Sequence, residues 1–349
     1  MRHLRVGLTY NLKDDLPSFL ATTRDASAEY DSEATVNRVR RALEHGGHEV
    51  VMCPYGPKMF DALRNSRPNI VFNIAEGWEG RARESVVPAI LEYLSIPYTG
   101  SDPVTLGLCL DKTLAKRVAQ SFGITTAPFA EVTSALSDVS SLNLSFPLFV
   151  KPAYEGSSKG ITGKCLVEDA EELLDTVNAM LGQYSQPVLI EEFLPGREFT
   201  VGIIGNDTVQ VFPPMEVRPK GASDSTAFVY CYDTKVSNGE ELLCPAPISP
   251  ALEEELRRLS VEVARAFKLR DFSRIDFRLD REGRVNLLEI NPLPGFSEVS
   301  LYPLCAQAAG FDFDTLVNTI LTIALRRHGL ACDSSERGHS IEKRKECFG

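Results

Sequence analysis

SRIDFRLDREGRVNLLEINPLPGFSEVSLYP, residues 273–303, holds two runs, Arg274-Ile275-Asp276-Phe277 and Leu287-Leu288-Glu289-Ile290-Asn291, around the segment Arg281-Glu282-Gly283-Arg284. Apolar and polar residues alternate with period two in both runs, which predicts two strands with their polar members on one face and a turn between them. On that hairpin Asp276, Glu289 and Asn291 converge beside Arg274. Two carboxylates and an amide are hard oxygen ligands of the kind that suits Mg²⁺, an ion that keeps several waters and takes its remaining ligands from phosphates. The hairpin therefore predicts a nucleoside triphosphate site. An Arg and an Asp alone on such a strand read as a solvated face. Two acids, an amide and an arginine together, followed by Pro292-Leu293-Pro294-Gly295, favour the cation site.

At 349 residues the chain exceeds the usual size of one core, so two or three subdomains are expected. Its 48 acids against 37 bases give a net charge of −11, which argues against nucleic acid as a partner. No apolar run reaches membrane-spanning length, so no membrane association is expected. MRHLRVGLTYNL enters a strand-like run without the apolar core of a signal peptide, so a cytoplasmic location is expected. The cysteines, Cys53, Cys109, Cys165, Cys231, Cys244, Cys305, Cys332 and Cys347, form no C-x-x-C pair and read as reduced thiols. The five histidines sit near termini or helix ends and away from the hairpin, which argues against a histidine-bound zinc or a Ser-His-Asp arrangement.

Working back from the hairpin, an amphipathic helix is expected from about Pro250 to Phe267, and a last helix from Asp312 to His328. The first hundred residues alternate strand and helix signals (Leu4–Tyr10, Ser32–His45, His48–Met52, Asn69–Asn73, Ser85–Leu94), the pattern of a small parallel α/β layer. A helix carrying Asp111-Lys112 stops at Gly123. Strands at Pro147–Pro152 and Ile161–Val167 flank a Gly/Ser loop, Glu155-Gly156-Ser157-Ser158-Lys159-Gly160, and a helix from Asp169 to Gly182 precedes strands at Val188–Glu191 and Glu198–Gly205. The tail from Ala331 is polar and charged, and disorder is its expected state.

Glycine and serine let backbone N–H groups approach phosphate oxygens closely, and Lys151 supplies positive charge beside them. Alone, such a hairpin tip is an ordinary turn. With the cation hairpin downstream it predicts a phosphate lid. Leu189-Ile190-Glu191-Glu192-Phe193-Leu194, with Glu198 beyond, offers an apolar strand edge with free backbone groups and acids to hold a ribose. Arg274 and the backbone at Gly295 can stabilise an oxyanion, although Gly295 reads equally well as a turn glycine. Lys235 lies in a long polar segment able to close over a substrate.

Taken together these residues resemble the ATP-grasp superfamily and, within it, the D-alanine–D-alanine ligases. The resemblance runs from about Asn69 to His328. It is carried by Pro97-Tyr98-Thr99-Gly100-Ser101, Asp111-Lys112, Lys151-Pro152 with Glu155-Gly156-Ser157-Ser158, Glu191 through Glu198, Tyr232-Asp233-Thr234-Lys235, Arg274-Ile275-Asp276, and Glu289-Ile290-Asn291 with Pro294-Gly295. The implied fold class is α/β and α+β: an ATP-grasp fold with an N-terminal Rossmann-like subdomain over 1–105, a central lid subdomain over 106–190, a C-terminal subdomain over 191–330 and a tail over 331–349. The implied cofactors are ATP and Mg²⁺. Lys112 and Lys151 would meet ATP phosphates or the adenine pocket, Glu191 and Leu194 the adenine, and Glu198 the ribose. Tyr232 and Lys235 would complete the nucleotide site, with Lys235 reaching the transferred phosphate. Asp276, Glu289 and Asn291 would bind two Mg²⁺ ions. Ser157 would lie near substrate, Arg274 with Gly295 would form the oxyanion site, and Ser300 would receive the second substrate's carboxylate. The likeness also implies small amino-acid or acyl substrates and a homodimer through the N-terminal unit.

The departures from this family cluster at the first-substrate end. The usual Glu-x-Ser element after the first strand is missing from Thr9-Tyr10-Asn11-Leu12-Lys13-Asp14-Asp15, and Glu29-Tyr30-Asp31-Ser32 is its nearest substitute. Asn73-Ile74-Ala75-Glu76-Gly77-Trp78-Glu79-Gly80-Arg81 replaces the usual His-Gly segment, and Val236 stands where a tyrosine is common. Arg81, Arg83 and Glu84 are candidates for an altered selectivity. The readings are thus a D-alanine–D-alanine ligase, a biosynthetic ligase joining a different amino acid or acyl donor, or a nucleotide-binding module without catalysis.

Overall fold

The computed structural model describes residues 3–18, 20, 23, 25–156, 159–161, 165–220 and 239–330. The expectations for Ser157, Ser158, Tyr232, Lys235, Val236 and the tail from Ala331 fall outside those residues.

The chain opens with a parallel sheet in which β1 (Arg5–Tyr10) lies between β2 (Glu49–Pro54) and β3 (Ile70–Asn73). Helix α1 (Glu33–His45) starts where the Ser32 hydroxyl accepts the Thr35 N–H at 3.2 Å, the favoured cap for an otherwise unpaired first turn. Its Val36, Val39 and Leu43 stripe packs on Val6 and Leu8 of β1. Helices α2 (Met59–Ser66) and α3 (Val86–Tyr93) cover the other face through Met59, Leu63, Val87 and Leu91. This is the expected Rossmann-like layer.

Helix α4 (Pro103–Leu110) ends at Asp111, whose carboxylate caps α5 (Lys112–Ser121) by accepting the Leu114 N–H at 2.9 Å. The central sheet runs β4 (Phe129–Val132), β7 (Val188–Glu192), β5 (Leu148–Pro152), β6 (Leu166–Val167), with every pair antiparallel. Helix α6 (Ala170–Tyr184) lays Leu173 and Val177 on Val150 and Ile190. The expected free edge at Leu189–Leu194 is corrected here. β7 is an interior strand, hydrogen-bonded to β4 on one side and β5 on the other, because the unforeseen strand β4 returns beside it.

The C-terminal sheet, among the described residues, runs β11 (Glu240–Leu243), β10 (Met215–Pro219), β8 (Glu198–Gly205), β12 (Phe272–Leu279), β13 (Val285–Asn291), with β9 (Val209–Val211) on β8. Helix α7 (Pro250–Ala266) and α5 cover one face through Leu256, Val263, Ala115 and Ala119 against Phe199, Val201, Ile275 and Phe277. The alternate residues Thr200, Arg274, Asp276 and Arg278 face a cleft instead.

A bulge sets the phase of β13. The register passes from Asp276 opposite Glu289 to Phe277 opposite Leu287, so Leu288 is the extra residue. Val285 and Leu287 lie in the core, and strict alternation would bury Glu289 and Asn291 beside them. The slip at Leu288 turns both onto the cleft face, opposite Asp276 and Arg274.

Helices α8 (Leu301–Ala308) and α9 (Phe313–Arg327) return to the first sheet, where Leu316, Val317 and Ile320 share one core with α1 and β1. Arg327 clamps the junction, donating to Asp271 Oδ2 at 2.7 Å and to the Tyr98 carbonyl at 2.8 Å. Phe296, next to Gly295, sits among Phe72, Phe272 and Tyr302 with ring centroids 5.5–6.1 Å away, which anchors the Pro292–Gly295 turn. No single described helix is long and apolar enough to cross a membrane.

Candidate active site

A cleft of about 410 Å³ runs from the β5–β7 end of the central sheet, over the cation hairpin, to the loops after β1 and β3. It gathers the nucleotide candidates Lys112, Lys151, Glu191, Leu194 and Glu198, the hairpin residues Arg274, Asp276, Glu289 and Asn291, and the substrate candidates Gly295, Ser300, Glu29 and Glu84.

At the central-sheet end Glu191 is held by two lysines. Lys151 Nζ lies 2.5 Å from one carboxylate oxygen and Lys116 pairs with the other. All three side chains are buried, and burial alone would raise the Glu191 carboxyl; the two ammonium groups instead bring it down to about 2. Burial also opposes the Lys151 charge, but Glu191 and Glu289 hold that ammonium above its ordinary value. Lys116 anchors this trio from α5 and donates to Thr126 Oγ1 at 2.5 Å. The Glu191 side chain is thus spent on ordering the two lysines. Glu198 pairs with Arg278 Nη1 at 3.0 Å, and burial outweighs that pairing, so its carboxyl lies above the usual range.

On the hairpin Asp276 accepts from Thr200 Oγ1 at 2.6 Å, Asn291 Nδ2 at 3.0 Å and Arg274 Nη2 at 2.9 Å. Glu289 pairs with Lys112 Nζ at 2.8 Å, and that lysine also donates to the Glu155 carbonyl at the base of the Gly/Ser loop. Burial pushes the Glu289 carboxyl up, and Lys112 with Lys151 pull it below its ordinary value, so it stays ionised. Asp276 and Glu289 face each other across the strand pair with Asn291 one step along, a hard-oxygen set that fits Mg²⁺ completed by phosphate oxygens. Beyond it, Ser300 precedes α8, and its Oγ accepts the Ser297 N–H at 3.1 Å beside Gly295.

At the opposite end the charges are arranged differently. Arg83, from the turn before α3, donates to Glu29 Oε1 at 2.5 Å and to the Tyr154 carbonyl at 2.7 Å. Glu29 Oε1 also accepts the Gly156 N–H at 2.7 Å, so this nearest substitute for the Glu-x-Ser element is already engaged. Gly77 adopts φ 76°, and a Cβ there would collide with the Arg83 carbonyl, so glycine is required for this loop to close on its neighbour. That closure brings Glu76 beside Glu84. Burial, then repulsion from Glu84 and Glu29, raises the Glu76 carboxyl well above its ordinary value. Burial pushes Glu84 up to about 7, with Arg83 opposing.

A family model described as D-ala D-ala ligase C-terminus matches residues 118–322. The chain belongs to the D-alanine–D-alanine ligase family. It is 34% identical over 291 residues to the D-alanine–D-alanine ligase of Aquifex aeolicus, covering 82% of this chain and 94% of that one. It is 36% identical over 295 residues to an uncharacterized protein of Sinorhizobium fredii, covering 82% and 86%. Its fold matches that of the D-alanine–D-alanine ligase from Bacillus anthracis complexed with ATP, with TM-score 0.74 and 23% identity over 93% of this chain and 99% of that one. The VanG D-Ala:D-Ser ligase from Enterococcus faecalis gives TM-score 0.70 and 18% identity over 93% and 100%. The chain is an ATP-dependent ligase of this family, with the ATP-grasp fold expected from its sequence.

Three features beside this ligase's cleft escaped sequence reasoning: the Lys116 anchor, the Arg83–Glu29 pairing and the closeness of Glu76 to Glu84. Lys116 was visible only as an i,i+4 partner of Lys112, a spacing that on a helix reads as a solvated face. The Arg83–Glu29 pair joins residues 54 positions apart with no local signal. Glu76 stood in a quoted departure, but its nearness to Glu84 comes from the Gly77 turn.

Proposed function

We propose that this ligase joins two amino acids, or an acyl donor and an amino acid, through an acyl-phosphate formed with ATP and Mg²⁺ in the cytoplasm. The observation that carries this reading is the single cleft that sets the Asp276, Glu289, Asn291 face opposite Lys112 and Lys151. A donor carboxylate oxygen attacks the γ-phosphorus and ADP leaves, with Lys151 and Lys112 offsetting charge on the phosphates. Asp276, Glu289 and Asn291 would hold Mg²⁺, which when bound neutralises the transferring phosphoryl group. The acceptor's amine then attacks the acyl carbon. Arg274 and the Gly295 N–H face the tetrahedral oxyanion, and its collapse expels phosphate as the amine loses its proton. Ser300 at the start of α8 receives the acceptor's carboxylate, where the helix N-terminus favours negative charge. Ser157, Tyr232 and Lys235 complete the phosphate and substrate contacts in this proposal.

The engagement of Glu29 by Arg83 favours a donor other than D-alanine, because the nearest substitute for the Glu-x-Ser element is already engaged. The test is ATP-dependent phosphate release with Mg²⁺ across a panel of D- and L-amino acids, with mass spectrometry of the products. D-alanyl-D-alanine as the preferred product would restore the cell-wall precursor reading, whereas ligation of another pair supports the altered donor. A homodimer through the N-terminal unit belongs to the same proposal, and a monomer mass by light scattering would remove it.

A further inference from the structure

We infer that Glu76 and Glu84 form a two-carboxylate subsite at the first-substrate end of the cleft, and that the acyl donor is an α-amino acid carrying a second amino group on its side chain. This deepens the ligase reading and rests on it for the role of donor. Pairing off the contacting charges at that end leaves Glu76, Glu84 and Asp31 without an ion pair, with Arg83 acting on the first two only from beyond ion-pair distance. Glu29 is matched by Arg83 at 2.5 Å, Glu155 by Lys159 at 2.9 Å and Glu289 by Lys112 at 2.8 Å. Lys13 offsets Asp31, whose carboxyl burial nonetheless raises to about 7. Glu84 is only 8% exposed, lines the cleft, and makes no side-chain hydrogen bond or ion pair among the described residues. Glu76 lines the same space and likewise has no such partner among them.

A carboxylate held in a narrow, largely desolvated cleft without a contacting cation is costly, and two neighbouring ones more so, unless a cation enters with the ligand. Ammonium groups fit. The two acids are also ordered along the cleft. Both feel Arg83 and Glu29, but Glu84 also feels Lys112 and Glu289 of the phosphoryl-transfer end, while Glu76 feels Asp31 instead. An α-ammonium, one carbon from the reacting carboxylate, belongs at Glu84. A side-chain ammonium reaching away from the reaction belongs at Glu76. One carboxylate suffices for an alanine-like donor; two select a diamino acid.

The test uses the full chain with Mg²⁺ and ATP, comparing alanine and serine with diaminopropionate, diaminobutyrate, ornithine and lysine as donors, in both chiralities. Diamino donors are expected to exceed neutral ones at least ~10-fold in kcat/KM, and Glu84→Gln or Glu76→Gln to raise the diamino-donor KM at least ~10-fold while the KM for ATP stays within ~2-fold. Donor binding by calorimetry is measured in parallel, with the same preference expected in wild type and its loss in each variant. Neutral donors used equally well, with variants that leave the preference unchanged, would overturn the subsite. Absence of turnover with any pair would overturn the ligase reading, and the binding preference would then decide the subsite by itself.

Discussion

The two ends of the cleft carry similar numbers of buried acids but treat them in opposite ways. At the central-sheet end Glu191 is enclosed by Lys116 and Lys151 and its carboxyl falls to about 2; at the donor end Glu84 lies beside other acids and rises to about 7. The first arrangement is complete within the protein and organises cations for phosphates. The second is incomplete, and its cost is offset only by a ligand. One end of a cleft can be self-sufficient in charge while the other keeps unmatched charge, and unmatched charge is a way to store specificity for a ligand.

The largest effect falls where the ends meet. Glu289→Ala removes an expected Mg²⁺ ligand and the partner of Lys112, so kcat should drop by ~10³-fold or more with the fold intact by circular dichroism. Turnover near wild type would detach the hairpin from the chemistry. Next, Glu191→Gln leaves two lysines buried without their carboxylate and should cost about 3–5 kcal/mol in urea unfolding. A loss below ~1 kcal/mol would erase the contrast between the ends.

Glu84→Gln should do the reverse, stabilising the protein by about 1–3 kcal/mol while weakening donor use. The sign follows from the direction of the shift. A carboxyl raised from 4.5 to about 7 on folding costs stability as pH climbs through that interval, so the gain should be near zero below pH 4.5 and full above pH 7. Glu191, lowered from 4.5 to about 2, contributes stability above 4.5 that is lost as pH falls toward 2. Unfolding curves of both variants across pH separate the two cases. The smallest effect is expected from Arg81→Ala. Its side chain is 55% exposed and pairs with Asp111 at 2.7 Å, so stability should change by less than ~1 kcal/mol and the donor KM by less than ~2-fold. A larger KM change would extend the selective region out to this rim.

The hairpin, the long helices and the parallel layer were legible because each rests on local periodicity. Ser32, Asp169 and Asp312 cap their helices within a residue of the expected starts. Short strands such as β4 and β9 carry too few residues for alternation to emerge. The bulge left one trace, the Leu287-Leu288 pair, where two apolar neighbours interrupt the alternation; only the partner strand shows which of them is the extra one. At the site, residues whose chemistry is set by strand register were readable. The distant partners that engage other named residues, Arg83 on Glu29 and Lys116 on Glu191, were not.

The return of α9 to the first sheet has a consequence for biosynthesis. The face of β1 formed by Val6 and Leu8 shares its core with Leu316, Val317 and Ile320, and Arg327 locks Tyr98 to Asp271. A ribosome delivers the sheet early and its cover late. The N-terminal layer therefore emerges with an apolar face lacking part of its cover, and this ligase can complete its first-made unit only after α9 has been translated.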